Sequence, residues 1–240
     1  MKKVLSVLTI TVLIAGKMFV QESTKKVNPG GIYIKGGYNS ANISINQAGS
    51  VNDAKALSTF HAGVVADIPL APVLSFQTGL LLNGQGAKSN FYADPNNKSD
   101  NYVKSTFNPL YLQLPASLVA KIPVAHDVRL YAGAGPYVEM GIGGKSKTES
   151  SLAGVKSSSS DNIKFNNDDP TTSGQEDASF NKLKRFDFGL NALAGVEFNR
   201  VSLGFNYGLG LTKINSTQTN NSSNDKNKYR TWSIGVGVRL

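Results

Sequence analysis

From residue 31 onward, hydrophobic positions recur at every second residue. In the stretch 201–211 one set is Val201, Leu203, Phe205, Tyr207, Leu209 and Leu211; the other is Ser202, Gly204, Asn206, Gly208 and Gly210. A period of two marks a β-strand with two different faces. Seven further stretches alternate in the same way: 31–45, 58–68, 73–85, 107–121, 128–143, 182–198 and 229–240. No stretch of comparable length carries a helical period. The connections alternate as well. Three are short (69–72, 123–127 and 199–200) and four are long (46–57, 86–106, 144–181 and 214–228). The long ones are rich in Asn, Ser, Asp, Lys and Gly, and the segment from Ser157-Ser158-Ser159-Ser160 through Asp177 reads as lacking regular structure.

This pattern predicts an all-β fold: an eight-stranded antiparallel up-and-down transmembrane β-barrel with short periplasmic turns and long external loops. Tilted spanning strands need about 9–11 residues, and these runs are at least that long. Closing the sheet removes its edges, which a bilayer cannot hydrogen-bond. A soluble barrel with its apolar face inward is the competing arrangement. The second face decides between them. It carries many glycines and few charges: Asp67, Lys121, Arg129, Glu139, Arg185, Asp187, Glu197 and Arg239. A surface facing water holds more Lys and Glu and less Gly. A narrow eight-stranded interior calls for small residues beside a few long, paired ones. The apolar face, nearly free of charge, is therefore the outside. Leu203, Phe205, Leu209, Leu211, Trp232, Ile234 and Val236 are expected to meet lipid. Phe60, Phe186, Phe198, Tyr229 and Trp232 lie near strand ends, where interfacial aromatics would sit.

Composition refines this picture at the termini. Met1-Lys2-Lys3 followed by an apolar run from Val4 to Gly16 reads as an export signal. The expected organisation is a signal peptide over 1–20, a short segment over 21–30 and the barrel over 31–240. The formal charge of +9 falls to +6 without Lys2, Lys3 and Lys17, and the basic residues are scattered along the chain. No basic run interleaved with aromatics suggests nucleic acid. The chain has no cysteine, which excludes disulfides, thiolate metal sites and thiol nucleophiles.

The runs NPLYLQLPASL (108–118), RLYAGAGPYVEMGIGG (129–144), RFDFGLNALAGVEF (185–198), VSLGFNYGLGL and RTWSIGVGVRL resemble the PorT-like outer-membrane β-barrel family of Bacteroidetes, a porin-family group. The resemblance extends over about residues 30–240. It implies a barrel in the bacterial outer membrane and protein partners in secretion or surface assembly. The chain departs from outer-membrane barrels that end in Phe, because its last residue is Leu240.

Candidate chemistry is sparse. Gly143-Gly144-Lys145-Ser146 has the tail of a phosphate-binding loop, but Glu139 stands where its first glycine is needed. The two histidines are His61 and His126. His61 shares a face with Asp67, but six residues along a strand span roughly 20 Å. No catalytic site, metal site or cofactor is expected. The inward charges Arg129, Glu139, Arg185, Asp187, Glu197 and Arg239 are expected to form a paired network filling the lumen. Pro109 and Pro115 cannot donate ladder hydrogen bonds and predict a bulge or kink. The expectation is a monomeric, non-enzymatic outer-membrane barrel with a narrow polar-packed interior. It would act through its external loops or through partners, with a small passive porin and a lipid-directed hydrolase as alternatives.

Overall fold

The computed structural model describes residues 29–44, 54–93, 101–165, 182–214 and 227–240. The expected signal segment lies outside them. Eight strands form the wall: β1 (Gly31–Ser44), β2 (Leu57–Ala71), β3 (Leu74–Gly84), β4 (Tyr102–Ala125), β5 (Val128–Leu152), β6 (Phe186–Phe198), β7 (Val201–Gly210) and β8 (Lys228–Arg239). Each pairs antiparallel with the next in sequence, and β8 pairs back onto β1 from Tyr33↔Arg239 to Ser44↔Lys228. The ring therefore closes with no edge at the level of the bilayer.

The two faces are inverted relative to a soluble protein. Ile32, Leu203 and Ile234 on the outside are each about half exposed (50%, 49% and 52%). Lys121, Glu139 and Glu197 on the inside are at 2%, 0% and 1%. An apolar belt running around the whole barrel is far larger than a soluble monomer exposes. Phe205, Leu211, Trp232 and Val236 lie in the exposed belt and Leu209 is half-buried beside them. Trp232 packs against Tyr207 and Phe205 at 4.2 and 5.1 Å between ring centroids. Tyr229 departs from the expected aromatic girdle. Two residues before Thr231, it shares the inward parity of β8 and is buried in the lumen.

The short-turn end follows the sequence reading. Pro72-Val73, His126-Asp127 and Asn199-Arg200 join neighbouring strands. The other end differs. The stretch 86–106, read as a loop, holds the strand Ala87–Tyr92, which continues β3 in the same register along β4 after a break at Gln85-Gly86. Gly86 takes a φ of +126°, open to glycine. The stretch 144–181 begins as the far end of β5, turns at Ala153-Gly154 and returns as Val155–Asn162. Both turn residues have positive φ (48° and 84°), as a two-residue type I′ hairpin requires. Ser157 to Ser160 are thus in a strand, corrected by a backbone ladder that composition does not reveal. The rest of that segment, through Asp177, lies largely outside the described residues. The result is an external sheet standing above the barrel, ordered Ala54–Lys55, Ala87–Tyr92, β4, β5 and Val155–Asn162.

The prolines act as their missing N–H groups dictate. The β4–β5 register shifts between Leu110 and Tyr111, beside Pro109. Around Pro115 the ladder lacks rungs on both sides while the register is kept.

Candidate functional site

The strand alternation sends every second side chain into the lumen, and the contents lie in layers. At the short-turn end Lys121 Nζ contacts Asp67 Oδ2 and, at 2.9 Å, Glu197 Oε2. Arg129 Nη1 donates to the other Glu197 oxygen at 2.9 Å. Gln77 Nε2 donates to Asp67 Oδ1 at 3.2 Å, and Gln77 Oε1 accepts from Lys35 Nζ at 3.3 Å. The Lys121 ammonium also lies 5.5 Å from the Tyr33 ring centre. Asp67, Lys121 and Glu197 come from β2, β4 and β6, so this cluster crosses the lumen rather than following one strand pair. Buried charge persists where it is paired and hydrogen-bonded, and here one lysine serves two carboxylates.

Towards the external end the chemistry changes. Glu139 and Asp187 are direct cross-strand neighbours, and neither forms an ion pair among the described residues. Glu139 accepts from the amides of Asn83 (3.3 Å), Gln85 (3.1 Å) and Gln113 (3.2 Å). Asp187 accepts from Tyr137 Oη at 3.2 Å and from the Thr212 hydroxyl. Neutral donors thus surround both carboxylates.

Above this layer the mouth is filled by apolar side chains. Phe107, Tyr111, Ile163, Leu183, Ile214 and Tyr229 form a buried cluster with Ile43 and Phe165 against it. Tyr111 meets Tyr229 and Phe165 edge-on at 5.7 and 5.4 Å. Phe165 and Leu183 belong to a short parallel bridge between Lys164–Phe165 and Lys182–Leu183. Between the layers lies a cavity of about 110 Å³, lined among others by Lys35, His61, Gln77, Gln113, Ser117 and Asn206.

The glycines of the inner face now have a specific role. Gly195 pairs across strands with Gly204, and Tyr131 from β5 lies over both, its hydroxyl donating to the Leu203 carbonyl at 3.3 Å. Gly37 pairs with Gly235 in the same way under His61 from β2, where a Cβ on either glycine would stand 2.7 Å from the imidazole. Asn39 Nδ2 donates to Asn83 Oδ1 at 2.7 Å and to the Gly84 carbonyl at 3.2 Å, which leaves Asn39 Oδ1 as an acceptor. His61 Nδ1 must therefore be the donor in its 2.7 Å bond to that oxygen. This bond, rather than any approach to Asp67, orients the ring.

Of the six inward charges singled out by the sequence, only Arg129 and Glu197 pair with each other. Glu139 and Asp187 adjoin without a cation. Arg239 lies at the short-turn end beside Gly31, and its Nη1 has no hydrogen-bond partner among the described residues. Arg185 differs from expectation: it precedes β6 and is exposed, and its guanidinium donates to the Phe165 carbonyl at 3.3 Å. The alternation placed Lys121 and Asp67 on the inner face but gave no sign that they bridge the lumen, because that requires the register of three non-adjacent strands. His126 is an exposed turn residue 3.4 Å from Asp127.

The sequence matches the outer membrane protein beta-barrel domain over residues 19–216. The chain belongs to this family. It is a protein of the bacterial outer membrane, with its short turns periplasmic and its long connections external. No curated protein matches it. Among solved structures it is similar to Ail, the attachment invasion locus protein of Yersinia pestis, at 15% identity over 88% of this chain and 99% of that one (TM-score 0.39). It is similar to Neisserial surface protein A at 16% over 87% and 97% (TM-score 0.39), and to the N-terminal β-barrel domain of Pseudomonas aeruginosa OprF at 10% over 88% and 99% (TM-score 0.31).

One group escaped the sequence reading entirely. Lys88, Lys104, Lys145, Lys147 and Lys156 are scattered along the chain, yet the register gathers them on one face of the external sheet. Lys147 donates to Glu149 at 2.5 Å and holds that exposed carboxyl below its usual pKa. The alternation of Tyr102, Lys104 and Thr106, and of Lys145, Lys147 and Glu149, is the period-two signal that marks these residues as strand.

Proposed function

We propose that this outer-membrane barrel is closed to solute flow and works from its external surface. Its tasks would be binding, structural support, or the secretion and surface-assembly role that the PorT-like resemblance implies, carried out by a monomer without catalysis. The observation that carries this reading is the double seal. Lys121 ties Asp67 and Glu197 together across the periplasmic end, and the Tyr111–Tyr229–Phe165 cluster fills the external mouth. The cavity between them is large enough for several waters but is bounded by packed side chains above and below. A passive porin needs a continuous aqueous path, which these layers interrupt. A lipid-directed hydrolase needs a histidine base opening to the bilayer, whereas His61 is turned inward and bonded to Asn39. Liposome swelling with pentose and hexose sugars tests the reading. Proteoliposomes should swell no faster than protein-free vesicles, and size-dependent swelling would instead establish the porin.

A further inference from the structure

The external sheet has two chemically different faces. Register places Lys55 beside Lys88, Lys88 beside Thr106, and Thr106 beside Lys147. One rung along, Lys104 stands beside Glu149, and Lys145 stands opposite Asn108. At the far end Tyr92, Tyr102, Ser151 and Lys156 form one row. Six lysines and one carboxylate thus share a single face. Lys104 Nζ lies 4.2 Å from the centre of the Tyr102 ring, and the Tyr92 and Tyr102 rings are 6.5 Å apart. The opposite face carries Ser89, Ser105, Thr148 and Ser159 in one row, with Phe91, Val103, Ser150 and Ser157 in the next.

The direction of the lysine face follows from β4, which runs through barrel and sheet without a residue inserted. Its even-numbered positions carry the exposed Leu114, Leu118 and Ile122 of the lipid belt and, further along, Thr106, Lys104 and Tyr102. The lysine face therefore continues the lipid-facing surface outward. A strand rising about 3.3 Å per residue at a tilt of about 40° climbs roughly 2.5 Å per residue along the membrane normal. Lys145, opposite Asn108, then lies roughly 5 Å beyond Leu110, and Lys88 and Lys104 roughly 10–15 Å beyond it. That is the depth of headgroups, and of the sugars of a glycolipid. Lys55, Lys88, Lys104, Lys145 and Lys156 form no ion pair among the described residues. Lysines there are drawn to anionic lipid, and the two tyrosines suit the same interface.

We propose that this face is a docking surface for phosphate-bearing glycolipid headgroups of the outer leaflet. It binds them laterally, against the outside of the barrel, independently of whether the lumen is closed. The test uses the full-length folded protein in detergent, titrated with bis-phosphorylated lipid A and with the same lipid dephosphorylated, counting retained lipid by native mass spectrometry. Each lysine near an anionic surface contributes about fivefold. The triple variant Lys88→Gln/Lys104→Gln/Lys145→Gln should therefore lose roughly a hundredfold in retention of the phosphorylated lipid. An opposite-face variant, Ser105→Gln/Thr148→Gln, should retain it as wild type does. A heat-modifiable gel shift confirms that each variant is folded. Should the triple variant fail that check, single Gln variants at Lys88 and Lys145 carry the same comparison at about fivefold each. Equal retention of the phosphorylated and dephosphorylated lipids would overturn the proposal, as would wild-type retention by the folded lysine variants. Tighter binding of a soluble heparin oligosaccharide than of the phosphorylated lipid would also overturn it, by assigning the face to a soluble polyanion.

Discussion

Lys121 and Glu139 are both fully enclosed in the lumen, yet they are solvated in opposite ways and should respond differently to substitution. Lys121→Met leaves Asp67 and Glu197 buried with their shared cation gone, a loss of about 3–5 kcal/mol for a broken buried pair. Glu139→Gln keeps the shape: a carbonyl in place of Oε2 still accepts from the Asn83 and Gln113 amides, and the Gln85 amide can turn to present its carbonyl to the new NH2. Urea unfolding of the refolded barrel in detergent should show a large drop in midpoint for the first and a small one for the second; the reverse order would mean that the acid and amide layer, not the ion pairs, holds the lumen together. The outside face gives a sharper contrast. Leu203→Arg puts a charge into the lipid belt at about 2–4 kcal/mol. Gly208→Ser adds atoms where a Cβ would stand 3.4 Å from Asn191 Oδ1, an ordinary contact. Refolding yield into phosphatidylcholine vesicles should fall strongly for Leu203→Arg and little for Gly208→Ser. Equal yields would argue that this face does not meet lipid. Parity alone separates the two faces along the barrel strands but misplaces Arg185, which precedes β6 and is exposed. The partners of the inward charges are not legible from it, because Asp67, Lys121 and Glu197 are brought together by the register of β2, β4 and β6.

At the scale of elements, the barrel strands follow directly from alternation, since one face must be apolar over a bilayer's thickness. The external sheet follows no such rule. Packed against no core on either face, the strand Val155–Asn162 needs no apolar face, and its Ser-Ser-Ser-Ser run reads as coil by composition. What fixes it is the hairpin at Ala153-Gly154 and the ladder from Lys145↔Asn162 to Leu152↔Val155. Gly154→Val forces a β-branched residue to a φ of 84° and should open this hairpin. Hydrogen exchange should then lose protection across Val155–Asn162 and the facing end of β5, with β6 to β8 unchanged. Unchanged protection in the hairpin would mean that the turn is not what holds it. The glycine pairs follow the same logic from within. Gly195 with Gly204, and Gly37 with Gly235, are beds for Tyr131 and His61, a use of glycine that appears only once neighbouring strands are aligned.

For the molecule as a whole, the layers along the barrel axis decide what it can do. Ion pairs cross the periplasmic end, amide-bound carboxylates sit above a cavity of about 110 Å³, and an aromatic and aliphatic cluster packs at the mouth. On the proposed reading, function then belongs to surfaces: the lipid belt, the lysine face that continues it, and the external sheet. Unitary current through the refolded wild-type protein in planar bilayers tests this most directly. Quiet membranes are expected, with no steady steps over the baseline of protein-free bilayers. Reproducible single-channel steps that persist at constant voltage would contradict a sealed lumen.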